Sequence, residues 1–319
     1  MTKSVIISTG SYLPKKILSN SDLEKMVETS DKWITQRTGI RERCIAAENE
    51  LTSDLALKAA EQAITNSGLD KSEIDMIIVA TTTPDRTFPS TATILQNKLG
   101  ITDKCFAFDV QAVCSGFVFA LNTADNFIKA GQVKTALVVG AETLSRVTDW
   151  TDRNTCVLFG DGAGAVIIKA EEGNRGILSS TLHSDGQYGD LLNTDGGVSL
   201  NQKAGFIYMA GKEIFKLAVN KMTECVIESL DKCGLEMKDI DWLVPHQANK
   251  RILDGVARKL GLPEEKVAIT LDKQANTSGA SIPLALDFLN KQNKIKKNDI
   301  VILEALGGGL TWGSIVVRW

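Results

Sequence analysis

The sequence predicts an α/β protein made of two halves that repeat one pattern of strands and helices. Short runs rich in Val and Ile alternate with helical segments, which is typical of parallel sheets covered by helices on both faces. The order of these segments in the first half returns in the second half. The chain has 319 residues, a length that suits two domains of about 150 residues each.

The first half alternates strands and helices after an N-terminal strand. Its predicted elements, in chain order, are a helix at 52–67, a strand at 74–80, a helix at 90–99, a strand at 105–110, a helix at 115–131 and strands at 135–142 and 164–170. The charged, glycine-containing segment 171–176 then marks a boundary. We therefore predict one domain at 1–172 and a second at 173–319.

The second half repeats this order. Its predicted elements are a helix at 213–233, a strand at 241–246, a helix at 249–260, a strand at 266–272, a helix at 279–290 and strands at 299–306 and 312–319. If the halves are related by a pseudo-two-fold axis, the carboxyl ends of their strands meet, and ligands bind at such ends.

The composition is that of an ordinary globular protein, with 43% hydrophobic and 24% charged residues. A net charge of −3 argues against general nucleic-acid binding. Six cysteines and two histidines show no zinc-ligand spacing. We find no signal peptide or membrane span, so a cytoplasmic enzyme with reduced thiols is expected. The GDGAGA segment at 160–165 leads into a strand rather than a helix, which excludes a dinucleotide loop.

Cys114 is the candidate nucleophile. It follows the strand at 105–110 and begins the next helix, where the helix dipole favours a thiolate and a free backbone N–H can bind an oxyanion. The alternative is a packed core cysteine.

Two further polar residues follow predicted strands of the second half. His246 lies in VPHQAN at a helix start, which favours a neutral imidazole, and Asn276 lies in QANTSGASIP. Superposing the halves places Asn276 opposite Cys114. Taken alone, the histidine could be structural and the asparagine part of an ordinary turn. The glycines at 307–309 form either a tight turn or a backbone cradle for an oxyanion.

These motifs together resemble β-ketoacyl-[acyl-carrier-protein] synthase III, a condensing-enzyme family of the thiolase superfamily. VCSGF, VPHQAN and NTSGASIP carry the resemblance, with DKWITQRTGIRER, DWTDRNTCVLFGDGAG and GGGLTWGS. The likeness covers essentially the whole chain. It implies a five-layered αβαβα thiolase fold, a homodimer, and an acyltransferase that needs no cofactor or metal.

The resemblance also implies a mechanism. Cys114 is acylated by a short acyl-coenzyme A, and malonyl-acyl-carrier-protein follows. His246 and Asn276 stabilise the enolate formed as CO₂ departs, and the N–H groups of Cys114 and Gly308 form the oxyanion hole. The product is acetoacetyl-acyl-carrier-protein, which initiates type II fatty-acid synthesis.

Substrate contacts are implied by the same resemblance. Coenzyme A is expected to meet Thr29, Trp33, Arg37, Arg153, Gly211, Phe215 and Asn249, with Trp33 and Arg153 around the adenine. The acyl carrier protein is expected to meet Lys216, Gln247, Arg251, Arg258 and Lys259. Phe88 is expected to close the partner subunit's acyl pocket, together with Leu306, and its bulk favours acetyl- or propionyl-sized primers. Leu306 stands where the family often has Phe, and Asn154 where Gly is common.

Other classes remain to be separated. A degradative thiolase needs a second cysteine near the triple glycine, whereas the last cysteine here is Cys233; elongating synthases have a second histidine at position 276. Plant-type polyketide synthases are usually longer. A synthase-III-like acyltransferase of secondary metabolism, a thiol hydrolase and a catalytically silent scaffold of the same fold are the remaining alternatives.

Overall fold

The computed structural model describes residues 2–102 and 104–319. Its strands are β1 Thr2–Tyr12, β2 Lys16–Ser19, β3 Glu42–Ile45, β4 Met76–Ala80, β5 Phe106–Val110, β6 Thr135–Thr143, β7 Asp161–Glu172, β8 Gly176–Ser184, β9 Leu192–Thr194, β10 Ile207–Met209, β11 Trp242–Pro245, β12 Ile300–Gly307 and β13 Thr311–Arg318. Its α-helices are α1 Asn20–Leu23, α2 Asp31–Thr38, α3 Thr52–Ser67, α4 Thr91–Leu99, α5 Gly116–Lys129, α6 Gly211–Asp231, α7 Lys250–Leu260, α8 Leu271–Gln274 and α9 Ser281–Lys291.

Two main sheets carry the fold. The first has the order β1-β7-β6-β4-β5 and the second the order β11-β12-β13-β8. β4 runs parallel to β5 and β6, and β11 runs parallel to β12, whereas β7, β1, β13 and β8 pair antiparallel with their neighbours. The prediction of parallel sheets was therefore only partly right, because β12 and β13 are joined by a turn too short for a parallel crossover.

Five layers result from the packing of helices on these sheets. Phe117 of α5 and Ile282 of α9 lie in one buried cluster with Ile78 of the first sheet and Leu303 of the second, so α5 and α9 form the middle layer. The helix α3 covers the outer face of the first sheet, and α6 and α7 cover that of the second. The predicted αβαβα architecture is confirmed.

In both halves a 3-10 turn precedes the helix of the middle layer. A 3-10 turn at Val113–Ser115 precedes α5, and another at Ser278–Ala280 precedes α9. Each turn contains a non-glycine residue in the left-handed region, with φ of 49° at Val113 and 47° at Ser278.

The boundary between the two halves lies between β7 and β8. Since β7 ends at Glu172 and β8 begins at Gly176, we propose domains at 1–172 and 173–319.

The predicted strand at 266–272 was wrong. Val267 forms only an isolated bridge to Leu243, and the chain then turns into α8. The buried carboxamide of Gln247 explains this. Its Nε2 donates to the carbonyl of Ala268 at 3.0 Å, and its Oε1 accepts from the N–H of Thr270 at 2.8 Å. The side chain thus occupies backbone groups that a neighbouring strand would need.

Within the described ranges, no helix is long and apolar enough to cross a membrane.

Candidate active site

A cavity of about 1520 Å³ opens where the two halves meet, and Cys114, His246 and Asn276 all line it. Cys114 comes from the first half, and the other two come from the second. The structure therefore brings together the three side chains that were singled out from separate parts of the sequence.

A strained corner presents Cys114 to this cavity. After β5, the chain turns through Val113, whose φ of 49° is unusual for a β-branched residue, and α5 begins at Gly116. All six cysteines are free thiols, but Cys114 is the cysteine whose side chain lines the cavity. The packed-core alternative therefore does not account for its position.

Burial of Cys114 opposes the effect expected from the helix terminus. Burial raises the pKa of the thiol to about 12, and the nearby Glu142 carboxyl acts in the same direction. The resting site therefore holds a protonated thiol at neutral pH, and the thiolate expected from the dipole is not its resting form.

His246 directly follows β11 and does not begin a helix, since β11 ends at Pro245 and α7 starts at Lys250 behind the N-cap Asn249. Its backbone N–H donates to the carbonyl of Glu304 at 2.7 Å, and its Nδ1 lies 2.7 Å from Oγ of Ser281. Burial lowers the pKa of the imidazole to about 3. The histidine is thus neutral, as expected, but burial rather than a helix dipole is the cause.

Asn276 is anchored by the first half. Its N–H donates to the carbonyl of Leu158 at 2.9 Å, and its own carbonyl accepts from the N–H of Gly160 at 3.0 Å. The side-chain Oδ1 accepts from the N–H of Ser278 at 2.8 Å. Since the oxygen is engaged, Nδ2 is the atom free to donate toward the cavity.

The triple glycine packs directly on the nucleophile. A Cβ at Gly307 would lie 2.7 Å from the backbone N of Cys114, and Gly308 lines the cavity beside it. Only glycine allows β12 to approach this N–H group so closely.

Glu142 is a site residue that the sequence analysis missed. It lies fully buried at the end of β6, and it accepts hydrogen bonds from Oγ1 of Thr83 at 2.6 Å and from the N–H of Thr82 at 3.2 Å. Burial raises the pKa of its carboxyl to about 7. A glutamate at the end of a predicted strand with no other charged residue, TALVVGAE, was the available signal.

The two residues predicted to hold the adenine, Trp33 and Arg153, stack directly on each other. The guanidinium carbon of Arg153 lies 5.1 Å from the centroid of the Trp33 ring, and that of Arg37 lies 5.0 Å from it. A ring stacked between two groups needs about 7 Å, so Arg153 must move before an adenine can enter. Arg153 is exposed and is tied by one hydrogen bond to the carbonyl of Glu28.

Most of the other predicted coenzyme A residues line the same cavity. These are Gly211 and Phe215 of α6, and Asn249, which caps α7 by accepting from the N–H of Arg251 at 2.9 Å. Thr29 lies outside the cavity lining, although its buried Oγ1 has no hydrogen-bond partner. Asn154, at the glycine-preferring position, lines the cavity and hydrogen-bonds Asp152.

Gln247 cannot contact a carrier protein as predicted. Its side chain is fully buried and makes the strand-replacing hydrogen bonds described above. The other four predicted residues are exposed: Lys216, Arg251, Arg258 and Lys259. Lys216 and Arg251 lie at the cavity, and the Arg251 guanidinium lies 5.7 Å above the Phe215 ring.

The two predicted acyl-pocket residues differ in environment. Leu306 is buried and lines the cavity, whereas Phe88 is 82% exposed and does not line the cavity of its own chain.

No group of three or more His, Cys, Asp or Glu side chains suited to a metal ion occurs among residues 2–102 and 104–319.

The fold and the cavity define a condensing enzyme of the thiolase type. Family models described as 3-oxoacyl-[acyl-carrier-protein] synthase III match residues 108–186 and, for the C-terminal part, residues 230–319. The chain belongs to this family of acyltransferases, as the sequence motifs predicted.

Comparison with full-length relatives supports this family assignment. The chain is 57% identical over 319 residues to a β-ketoacyl-[acyl-carrier-protein] synthase III of Ehrlichia canis (100% of both chains), and 58% identical over 321 residues to that of Rhodospirillum centenum (99% of both). The crystal structure of the 3-oxoacyl-[acyl-carrier-protein] synthase III of Aquifex aeolicus superposes with a TM-score of 0.95 at 47% identity, covering 99% of this chain and 100% of that one.

Proposed function

We propose that this chain initiates fatty-acid synthesis by condensing a short acyl group, taken from acyl-coenzyme A, with malonyl-acyl-carrier-protein. The observation that carries the proposal is the convergence of Cys114, His246 and Asn276 on one cavity. A nucleophile lies there beside two groups suited to stabilising a developing oxyanion.

In the first step Cys114 attacks the thioester carbonyl of acyl-coenzyme A. A bond forms between Sγ and the acyl carbon, the bond to the coenzyme A sulfur breaks, and the thiol proton ends on the departing coenzyme A. The backbone N–H groups of Cys114 and Gly308 bind the carbonyl oxygen as it gains charge. The close approach of Gly307 to the N of Cys114 supports this arrangement.

In the second step malonyl-acyl-carrier-protein enters and loses CO₂. The electron pair of the broken C–C bond becomes an enolate, whose oxygen accepts hydrogen bonds from His246 and Asn276. The enolate carbon attacks the acyl-Cys114 carbonyl, and the expelled thiolate takes a proton from water. A buried, neutral imidazole is suited to donate a hydrogen bond rather than to carry charge.

The partners follow from this chemistry and from the relatives' names. We propose Trp33, Arg37, Arg153, Gly211, Phe215 and Asn249 as coenzyme A contacts, with Thr29 farther along the path. We propose the exposed cations Lys216 and Arg251 at the cavity, with Arg258 and Lys259 farther along α7, as contacts of an acidic carrier protein. We also propose a cytoplasmic homodimer in which Phe88 reaches the partner subunit's acyl pocket and favours small primers.

Intact-protein mass spectrometry tests the proposal. Wild-type protein mixed with acetyl-coenzyme A should gain one acetyl group, Cys114→Ala should gain none, and malonyl-acyl-carrier-protein should discharge the adduct as acetoacetyl product. Cys225→Ala is the matched control, because Cys225 is a buried thiol away from the cavity.

Three other results have defined meanings. An adduct only with longer or branched acyl groups would keep the mechanism and refute the role of Phe88 in primer choice. No adduct with any acyl-coenzyme A would refute the proposal and favour a silent scaffold. An adduct that only a nucleophile other than malonyl-acyl-carrier-protein discharges would indicate secondary metabolism.

A further inference from the structure

The hydroxyl of Ser281 contacts the imidazole of His246, and Ser281 itself does not line the cavity. Ser281 is the first residue of α9 and is 1% exposed. Its Oγ lies 2.7 Å from Nδ1 of His246 and also accepts a hydrogen bond from the backbone N–H of Gln247 at 3.3 Å.

These two contacts decide where the protons lie. If Nδ1 carried the imidazole proton, Oγ would accept from both His246 and Gln247, and its own hydrogen would have no acceptor within residues 2–102 and 104–319. A buried donor without a partner is destabilising. If Ser281 instead donates to Nδ1, then Nδ1, the Ser281 hydroxyl and the N–H of Gln247 all have partners.

We infer that Ser281 is a positioning residue that holds His246 as the tautomer with its proton on Nε2. This inference deepens the proposed function and rests on it. Nε2 meets no hydrogen-bond partner among the described residues, and His246 lines the cavity, so its proton is available to a ligand.

This tautomer affects the two steps of the reaction differently. An Nε2–H group can donate to an enolate oxygen but cannot accept a proton from the Cys114 thiol. Ser281 therefore supports the decarboxylative step and not the acyl transfer. The opposite tautomer would place a lone pair against the enolate and destabilise it.

The first test is ¹⁵N nuclear magnetic resonance of histidine-labelled protein. The chain has two histidines, so a His183→Gln variant assigns both ring systems. We expect a protonated Nε2 and a hydrogen-bonded acceptor at Nδ1 in wild-type His246. A protonated Nδ1, an imidazolium, or an Nδ1 shift without a hydrogen bond would each overturn the inference, and this test needs no change at Ser281.

The second test compares the half-reactions in Ser281→Ala. Acetyl loading on Cys114 should stay within about two-fold of wild type, whereas condensation with malonyl-acyl-carrier-protein should fall about 10- to 100-fold, with a mixed tautomer population at His246. Ser229→Ala is the matched control, since its hydroxyl is equally buried and donates to the carbonyl of Ser314 on the far face of the second sheet.

An unchanged tautomer and an unchanged condensation rate in Ser281→Ala would refute the role of Ser281. Failure of the wild type to form an acetyl adduct would instead refute the proposed function. The tautomer spectrum is independent of that result.

Discussion

Replacing Gly307 with alanine tests how tightly the nucleophile turn is held. The added Cβ would lie 2.7 Å from the backbone N of Cys114, 3.0 Å from the carbonyl oxygen of Ala112 and 3.0 Å from the N of Ser115. All three are backbone atoms, which cannot rotate away as a side chain can. Reaching an ordinary contact of 3.4 Å requires a displacement of about 0.7 Å at Cys114.

Two measurements separate the consequences of this displacement. Overpacking of this kind should lower the free energy of unfolding by about 1–3 kcal/mol, measured by urea titration. A misplaced oxyanion donor should slow acetyl transfer to Cys114 about 10²- to 10³-fold, measured by rapid quench and mass spectrometry. Gly186→Ala is the control, because a Cβ there meets no atom within 4 Å. A destabilised Gly307→Ala enzyme that loads acetyl groups at the wild-type rate would refute the oxyanion argument.

Four further changes have defined outcomes. Asn276→Asp keeps the acceptor bonded to Ser278 but removes the donor, so condensation should fall about 100-fold while acetyl loading persists; equal loss in both steps would contradict this. Alkylation of resting Cys114 by iodoacetamide should rise tenfold per pH unit from pH 7 to 9, because its pKa is about 12; a plateau below pH 9 would disprove a protonated resting thiol. Burial raises the pKa of Glu304 to about 8 from an ordinary 4.5, so its contribution to stability is complete below pH 4.5 and is lost as pH rises through 8. Glu304→Gln should therefore unfold at higher denaturant concentration than wild type at pH 9 but not at pH 5, and parallel pH curves would argue against this. Trp33→Ala should raise KM for acetyl-coenzyme A about tenfold with little change in kcat, and an unchanged KM would remove Trp33 from the binding path.

The periodicity of the sequence predicted most of the fold. The helix at 52–67 and the strands at 135–142 and 299–306 lie within a residue or two of their observed bounds. These segments are fully buried or strongly amphipathic, so local pattern and tertiary environment agree. The segment 266–272 failed because its strand-like pattern cannot show that a distant carboxamide, that of Gln247, occupies its backbone groups.

The sequence was sufficient to predict the three main residues of the candidate site, but not the protonation state of its nucleophile. Cys114, His246 and Asn276 could be chosen because each follows a strand and matches a motif. The protonated state of Cys114 could not, since burial is a property of the whole fold whereas the helix dipole is local. Glu142 and Ser281 were missed for the same reason, because their roles depend on groups far away in sequence.

One short turn fixes the relative positions of the three site groups. Residues 276–281 orient Asn276 through the N–H of Ser278 and His246 through Oγ of Ser281. Gly279 lies between these serines and packs on the nucleophile's turn, where its Cβ would lie 3.3 Å from the carbonyl oxygen of Val113 and 3.4 Å from Oε1 of Glu142. The turn that orients both donors is therefore also the surface against which the nucleophile rests. A thioester oxygen entering the cavity would meet donors already aimed by the fold, so little reorganisation is needed as charge develops.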